Sequence, residues 1–330
     1  MSDSTQTDRE NERTSTESGY NANRRRVLQG IGAIGVGSAA IGTAQAAQST
    51  RARTSAYGST PAAQSSEAIE TSAQFWSFTE ADLSTAELIR ECADAGYDAV
   101  EPFMIDDADE IADALDETDV HMGSAHVGLE ELEEDFDGTI ETYSQFGSPA
   151  LVEPMVADGT WSDEDSVIEF AERCNEMADR VADEGLEFGY HNHDHEFQQI
   201  GDTTAYDIFA ENINDNVHLQ LDAGWVLVGG EDPIDYVIEY SDNVQSIHMK
   251  NMTASGDFVE VDEGHVNMRA VATAARNAAD VDYLVYEYDQ APNPLESIKI
   301  GAEWMSKLNH PYSPGGVCGI EGAEEHPAKL

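Results

Sequence analysis

Eight short apolar runs, each followed by a stretch of helical periodicity, constrain the fold of this chain more than any other feature. They are AQFWSF (73–78), DAVEPF (98–103), VHMGSAH (120–126), PALVEPM (149–155), LEFGYHNH (186–193), VHLQLDAG (217–224), SIHMKN (246–251) and YLVYEYD (283–289). Between them, STAELIRECADAG offers Ser84 as an N-cap and Gly96 as a C-terminal stop, and DEDSVIEFAERCNEMADRVADEG closes on Gly185. Eight strand-helix units in about 250 residues is the count of a (β/α)8 barrel. A doubly wound open sheet would carry a Gly-rich phosphate turn after its first strand, and FWSFTEADLSTAEL has none. We therefore expect an α/β chain with a single TIM barrel over residues 73–310.

Strand parity then places the chemistry. Side chains alternate faces along a strand, so Glu187, Gly189, His191 and His193 share one face and Leu186, Phe188 and Tyr190 the other. His218, Gln220 and Asp222 oppose Leu219 and Leu221; Ser246, His248 and Lys250 oppose Ile247 and Met249; Glu287 and Asp289 share a face with Tyr283 and Val285. In a barrel the helix-facing side must be apolar. The polar faces of the last four strands therefore point inward, toward the C-terminal mouth where this fold carries its active sites. Inward carboxylates and imidazoles repel or stay unsatisfied unless something binds between them, and a divalent cation turns such a cluster into a favourable site. A mixed N/O set suits Mn²⁺, Co²⁺, Zn²⁺ or Mg²⁺. The competing arrangement is a proton-shared polar network without metal.

Other groups reach the same mouth. His126 ends the third run; Glu101 and Glu153 each precede a proline at a strand end, where they either bond sugar hydroxyls or cap a loop. Trp225 follows the Asp222-Ala-Gly turn and Trp76 lies in the first run, and aromatic faces of this kind either stack on sugars or pack. His218 sits lower on its strand and reads as core; His195 and His265 read as loop or surface residues. Cys92, Cys174 and Cys318 match neither a metal-knuckle spacing nor a disulfide framework, and the first two lie in helical patterns as small core residues.

GYHNHDHEF, LDAGWVLVGGEDPIDYVIEYSDNVQSIHMKN and YLVYEYDQAPNPLESIKIGAEWM occur in an order and spacing that resemble the sugar phosphate isomerase/epimerase superfamily of xylose isomerase-like TIM barrels, in its Tyr-His-Asn-His branch. The resemblance covers about residues 70 to 310. It implies a divalent metal held by His191, Asp222, His248 and Glu287. Strand five departs from the pattern, since many members place a glutamate there and Glu187 is the alternative. It further implies a sugar or keto-sugar isomerase or epimerase, with proton transfer through a metal-stabilised enediolate and acid/base residues on either side of the substrate. Glu287 fills one such role. The second falls to Glu196, His193, Glu153 or His126, and Lys250 contacts a substrate oxygen or ties up a carboxylate. Substrate contacts fall to His126, Glu153, Trp225 and Glu101. If no second base reaches the substrate, one-base isomerisation or elimination follows, as in a dehydratase or lyase acting on an oxidised sugar or cyclitol. A non-catalytic carbohydrate-binding barrel is the alternative outside enzymes. An endonuclease-like relative would need more metal-binding histidines and a basic groove.

Composition excludes further classes. Sixteen basic residues, only four of them lysines, against 66 acidic ones give a net charge of -50 spread along the chain. With 40% hydrophobic residues this is a folded protein with an acidic skin, as expected for a protein of a halophile kept soluble in very high salt, which screens charge within a few ångströms. No Lys/Arg stripe exists to neutralise nucleic-acid phosphates. NRRRVLQGIGAIGVGSAAIGTAQAAQ, with a glycine-broken apolar stretch and a small-x-small end at Ala44-Gln45-Ala46, reads as a twin-arginine signal peptide over residues 1–46 and falls short of a membrane anchor. The expected order is thus signal peptide, Ser/Thr/Ala/Gln-rich linker (47–72), barrel and a tail (311–330). The protein is expected to be secreted, to engage the twin-arginine export machinery, and to act on a small-molecule sugar; a homo-oligomer is compatible with the sequence.

Overall fold

The computed structural model describes residues 69 to 309 apart from 148 and 254. The expected signal peptide, nearly all of the linker, the tail and Cys318 lie outside the described residues. Eight parallel strand positions alternate with helices: β1 (Glu70–Gln74), β2 (Ala99–Glu101), β3 (interrupted, His121–Met122 and Ser124–His126), β4 (Ala150–Glu153), β5 (Glu187–His191), β6 (Val217–Asp222), β7 (Val244–His248) and β8 (Tyr283–Tyr286). Every neighbouring pair runs parallel, β8 pairs with β1, and the two halves of β3 pair with β2 on one side and β4 on the other. Since the sheet order starts and ends on the two halves of one strand, the sheet is a closed (β/α)8 barrel, as its periodicity predicts. Gly123 bridges the halves through backbone bonds to Val100 and from Ala150.

Ten helices among the described residues cover the barrel, including α1 (Thr85–Ala95), α2 (Ala108–Glu117), α3 (Leu129–Glu134), α4 (Phe136–Ser144), α5 (Glu164–Asp183), α6 (Ala205–Asn212) and α7 (Ala223–Val228). Ser84 caps α1 in a reciprocal capping box with Glu87, and Gly96 ends it in the left-handed conformation at φ 96°. The outward strand residues Phe188, Tyr190, Leu219, Leu221, Ile247 and Leu284 are buried under this layer. Tyr190 meets Trp161, Phe170 and Phe209 in a ring cluster with centroids 4.9–5.6 Å away. Cys92 and Cys174 are buried free thiols whose pKa burial raises, which keeps them un-ionised, in keeping with a packing role.

The first run departs from expectation. β1 begins at Glu70 and ends at Gln74, whose side chain accepts a hydrogen bond from Trp76 N and turns the chain into a 3-10 helix over Phe75–Ala81. Phe75 and Phe78, three residues apart, bury the same side of that tight helix, so the apolar run reflects its three-residue period and not a strand. Among the described residues no helix is long and apolar enough to cross a membrane.

Candidate functional site

His191, Asp222 and His248 are the last residues of β5, β6 and β7, and Glu287 follows β8 directly. All four are buried, and one ligand atom from each lies within 4.8 Å of the others. Sequence parity and resemblance placed these four together, and they converge. His191 Nε2 is 3.9 Å from Asp222 Oδ2, and His248 Nδ1 is 2.7 Å from Glu287 Oε2. Asp222 divides its work: Oδ1 accepts from Gly224 N at 2.8 Å and Trp225 N at 2.9 Å, capping α7, while the buried Oδ2 has no hydrogen-bond partner. A carboxylate oxygen free of hydrogen bonds beside two imidazoles and a second carboxylate is the donor chemistry a divalent cation needs.

Gly224 lets that cap sit close to β7. A Cβ there would stand 2.8 Å from the Lys250 carbonyl oxygen and 3.0 Å from Met252. Gly224→Ala should therefore cost about 1–3 kcal/mol of stability, read as a lower denaturant midpoint at unchanged slope.

Lys250 enters the same space. Its Nζ lies 3.1 Å from Glu287, 3.2 Å from Asp289 and 3.4 Å from Asp222, and 5.1 Å from the Trp225 ring centroid. Burial would discharge this ammonium, but the three carboxylates outweigh it and raise its pKa, so Lys250 is a fixed hydrogen-bond donor and not a base. Burial pushes the Asp289 carboxyl well above the usual range, whereas Lys250 and His248 overcome the burial of Glu287 and hold it well below. His191 and His193 are kept neutral, first by burial and then by the positive groups around them. His248 is the opposite case: Glu101 and Glu287 outweigh burial and lift it to about 10.

Behind the four residues lies a sealed polar layer. Glu101, fully buried, takes Gln74 Nε2 at 2.6 Å, Gln220 Nε2 at 2.5 Å, His248 Nε2 at 2.8 Å, His126 Nε2 at 3.2 Å and the Ser124 hydroxyl. Gln220 Oε1 lies 2.9 Å from His126 Nε2 and 3.1 Å from His191 Nδ1. Glu101 and His126 thus face side chains of the barrel interior. The expected sugar contact for Glu101 is corrected: five partners saturate it.

Further expectations change. Glu153 accepts the backbone N–H groups of Leu129 and Met155, one on each oxygen, tying β4 to the start of α3; burial lifts it to about 7, and of its two expected roles it takes that of capping a loop. Glu196 accepts from the Tyr190 hydroxyl at 2.5 Å and His193 N at 2.9 Å. The Tyr190 ring packs among α5 and α6 residues, so Glu196 is engaged on the helix side, away from the mouth. Glu187 stands exposed at the other end of β5, bonded to Gln245, which removes it as the strand-five alternative to His191. His218, 4.0 Å from Glu187, is half-buried there and not core. His265 is exposed, as expected, and His195 half-buried.

The mouth itself is lined by His193, whose Nδ1 has no partner, and Trp225, whose Nε1 has none and whose ring meets His193 at 5.6 Å and Phe258 at 5.6 Å. Trp76 pairs with Phe103 at 5.2 Å. Gln74, Ser124, Gln220, Asn192 and Asp289 were not singled out from the sequence, although parity already put Gln220 and Asp289 on the inward faces. Asn192 fastens the end of β6 by accepting from Asp222 N at 2.9 Å.

Residues 89–308 match the family model described as xylose isomerase-like TIM barrel. The chain belongs to this family. Among solved structures, this xylose isomerase-like barrel is similar to a sugar phosphate isomerase/epimerase from Parabacteroides distasonis, at 18% identity and a TM-score of 0.63 over 76% of this chain and 99% of that one. It is similar also to a probable 3-DHS dehydratase, AsbF, from Bacillus anthracis (15%, TM-score 0.57, 72% and 99%) and to the IOLI protein with a bound zinc atom (15%, 0.58, 73% and 98%). At these identities the likeness is one of fold. No curated protein matches the chain.

Proposed function

We propose that this xylose isomerase-like barrel is a divalent-metal-dependent enzyme that moves a proton next to the carbonyl of a sugar or keto-sugar. One observation carries the proposal: His191, Asp222, His248 and Glu287 bring ligand atoms within 4.8 Å of one another at the C-terminal mouth, with Asp222 Oδ2 buried, without a hydrogen bond and 3.4 Å from the Lys250 ammonium. The names of the similar structures, an isomerase/epimerase and a zinc-holding protein, support it. The four residues would hold Mn²⁺, Co²⁺, Zn²⁺ or Mg²⁺, and the ion would supply Lewis acidity to a carbonyl and its neighbouring hydroxyl. Glu287, held ionised, accepts the carbon-bound proton. Lys250 donates hydrogen bonds to the oxygen on which negative charge grows, and Trp225 offers an apolar face to the sugar ring. His193, neutral and open at Nδ1, is our choice of second proton carrier, because it lines the mouth, whereas His126 and Glu153 are bonded to the barrel interior and a loop and one oxygen of Glu196 is held by Tyr190.

That shortage of second bases favours one further reading, elimination from a keto-sugar, for which the similar dehydratase gives a precedent of fold. Elemental analysis of protein purified in molar salt, followed by a keto-sugar panel in D₂O, tests both. Deuterium at the carbon next to the carbonyl is the expected result, with loss of water marking the lyase. A protein holding no metal and exchanging none of the panel would refute the proposal.

We propose too that the chain is exported through the twin-arginine route from a halophilic cell. Mass spectrometry of the secreted protein should find the mature chain starting near Ala47, and a Lys pair at Arg24 and Arg25 should keep it inside. Export unaffected by that pair would refute the route.

A further inference from the structure

Glu101 and Gln220 are fully buried, lie behind the proposed metal ligands and touch two of them. We propose that they are positioning residues: each holds the far nitrogen of one ligand imidazole, so that His248 presents Nδ1 and His191 presents Nε2 to the Asp222 and Glu287 carboxylates. The inference rests on the metal-site reading above.

Donor and acceptor chemistry fixes each ring in turn. The five groups around Glu101 include two side-chain amide nitrogens and a hydroxyl, all donating, so the carboxylate accepts throughout. His248 Nε2, 2.8 Å from Glu101 Oε1, must then carry hydrogen. Its other nitrogen, Nδ1, donates to Glu287 at 2.7 Å and is the one that would release its proton to take a cation. Gln220 donates through Nε2 to Glu101, which fixes its amide orientation and leaves Oε1 on the imidazole side. An amide oxygen only accepts, so His191 Nδ1, 3.1 Å away, also carries hydrogen. The lone pair of His191 is left on Nε2, toward Asp222. His191 in the other tautomer would set a lone pair against Gln220 Oε1, and His248 without hydrogen at Nε2 would set one against Glu101, inside a sealed layer.

The same bonds decide how many ions the imidazoles serve. His126, His191 and His248 also group closely enough to suggest a second ion. Their facing nitrogens are already taken by Gln220 and Glu101, so the layer orients one centre and does not build another. A histidine ligand whose other nitrogen donates to a carboxylate or carbonyl is held in orientation and made more basic, and losing that partner typically costs 10–100-fold in metal affinity.

The test uses full-length ¹⁵N-histidine-labelled protein loaded with ¹¹³Cd²⁺. Cadmium coupling is expected at His248 Nδ1 and His191 Nε2, with the opposite nitrogens protonated. Coupling at the opposite nitrogen of either ring overturns the proposal, while coupling to neither histidine removes the metal-site reading itself. In a second arm, Mn²⁺ titration of Glu101→Gln should show binding weakened about 10–100-fold. Ile89→Ala, a buried truncation in α1 away from the barrel mouth, should bind as wild type. Wild-type affinity in Glu101→Gln, or equal weakening in both variants, would show that Glu101 only supports the fold. If Glu101→Gln fails to fold, the cadmium experiment on the wild-type protein decides.

Discussion

Glu287→Gln is expected to slow deuterium exchange into the keto-sugar about 10²–10⁴-fold, the usual worth of a positioned proton carrier. Glutamine keeps the volume, so the fold should survive. It cannot keep the charge that Lys250 at 3.1 Å and His248 at 2.7 Å stabilise. Because the residue is proposed both as ligand and as base, two measurements are needed on one preparation: metal content, and exchange at saturating metal. A slow exchange with metal restored assigns the loss to proton transfer, whereas recovery on adding metal assigns it to coordination. If exchange proceeds at the wild-type rate, Glu287 takes no part in the chemistry. A barrel that only binds carbohydrate would show no exchange in either protein and the same sugar affinity in both.

The four converging residues were legible in the sequence because a strand's period of two is insensitive to where the strand ends. His191, Asp222, His248 and Glu287 need only the right face and a place near the C-terminal end, and both follow from alternation in four short runs. Termini were harder. Phe75 and Phe78 are as apolar as any strand pair, and only the Gln74 side chain, by capping the Trp76 amide, turns that run into a 3-10 helix. Nothing in local hydropathy carries that signal.

Acidic side chains were the least legible. Glu101 and Glu153 have the same local pattern, a buried strand end before proline, yet one is sealed by five side-chain donors and the other holds two backbone amides. Apart from the Met155 amide two residues on from Glu153, their partners come from strands and helices 23 or more residues away, which one strand's alternation does not encode. Glu196 fails for the reverse reason. It is close in sequence to His193, but the short 3-10 turn at His195–Phe197 points its carboxylate back to Tyr190 on the helix side. Gln220 was visible on the inward face and passed over because an amide suggests neither a ligand nor a base. Its value lies in having a donor and an acceptor at once, which lets it bond a carboxylate and two imidazoles together.

Lys250→Met should destabilise the metal-free protein by about 3–5 kcal/mol, since removing one member of a buried ionic group leaves its partners uncompensated. Methionine matches the length of the lysine stem, so the packing against Trp225 and Phe258 is largely kept and the loss reports charge. The ammonium is 2% exposed and serves Asp222, Glu287 and Asp289 together, which leaves water little room to replace it. A divalent ion drawn to two of those same carboxylates offers the missing positive charge. At one Mn²⁺ concentration the ion should therefore bind the folded variant more tightly than the folded wild type and narrow the gap in stability between them. The comparison is made by urea unfolding of both proteins at one fixed molar salt concentration, with and without the ion. A loss below about 1 kcal/mol would mean the carboxylates are satisfied without Lys250, in the range of an ordinary exposed pair. A full loss that Mn²⁺ leaves unchanged would instead place the ion elsewhere, because a cation bound between Asp222 and Glu287 must feel the charge that the lysine leaves behind.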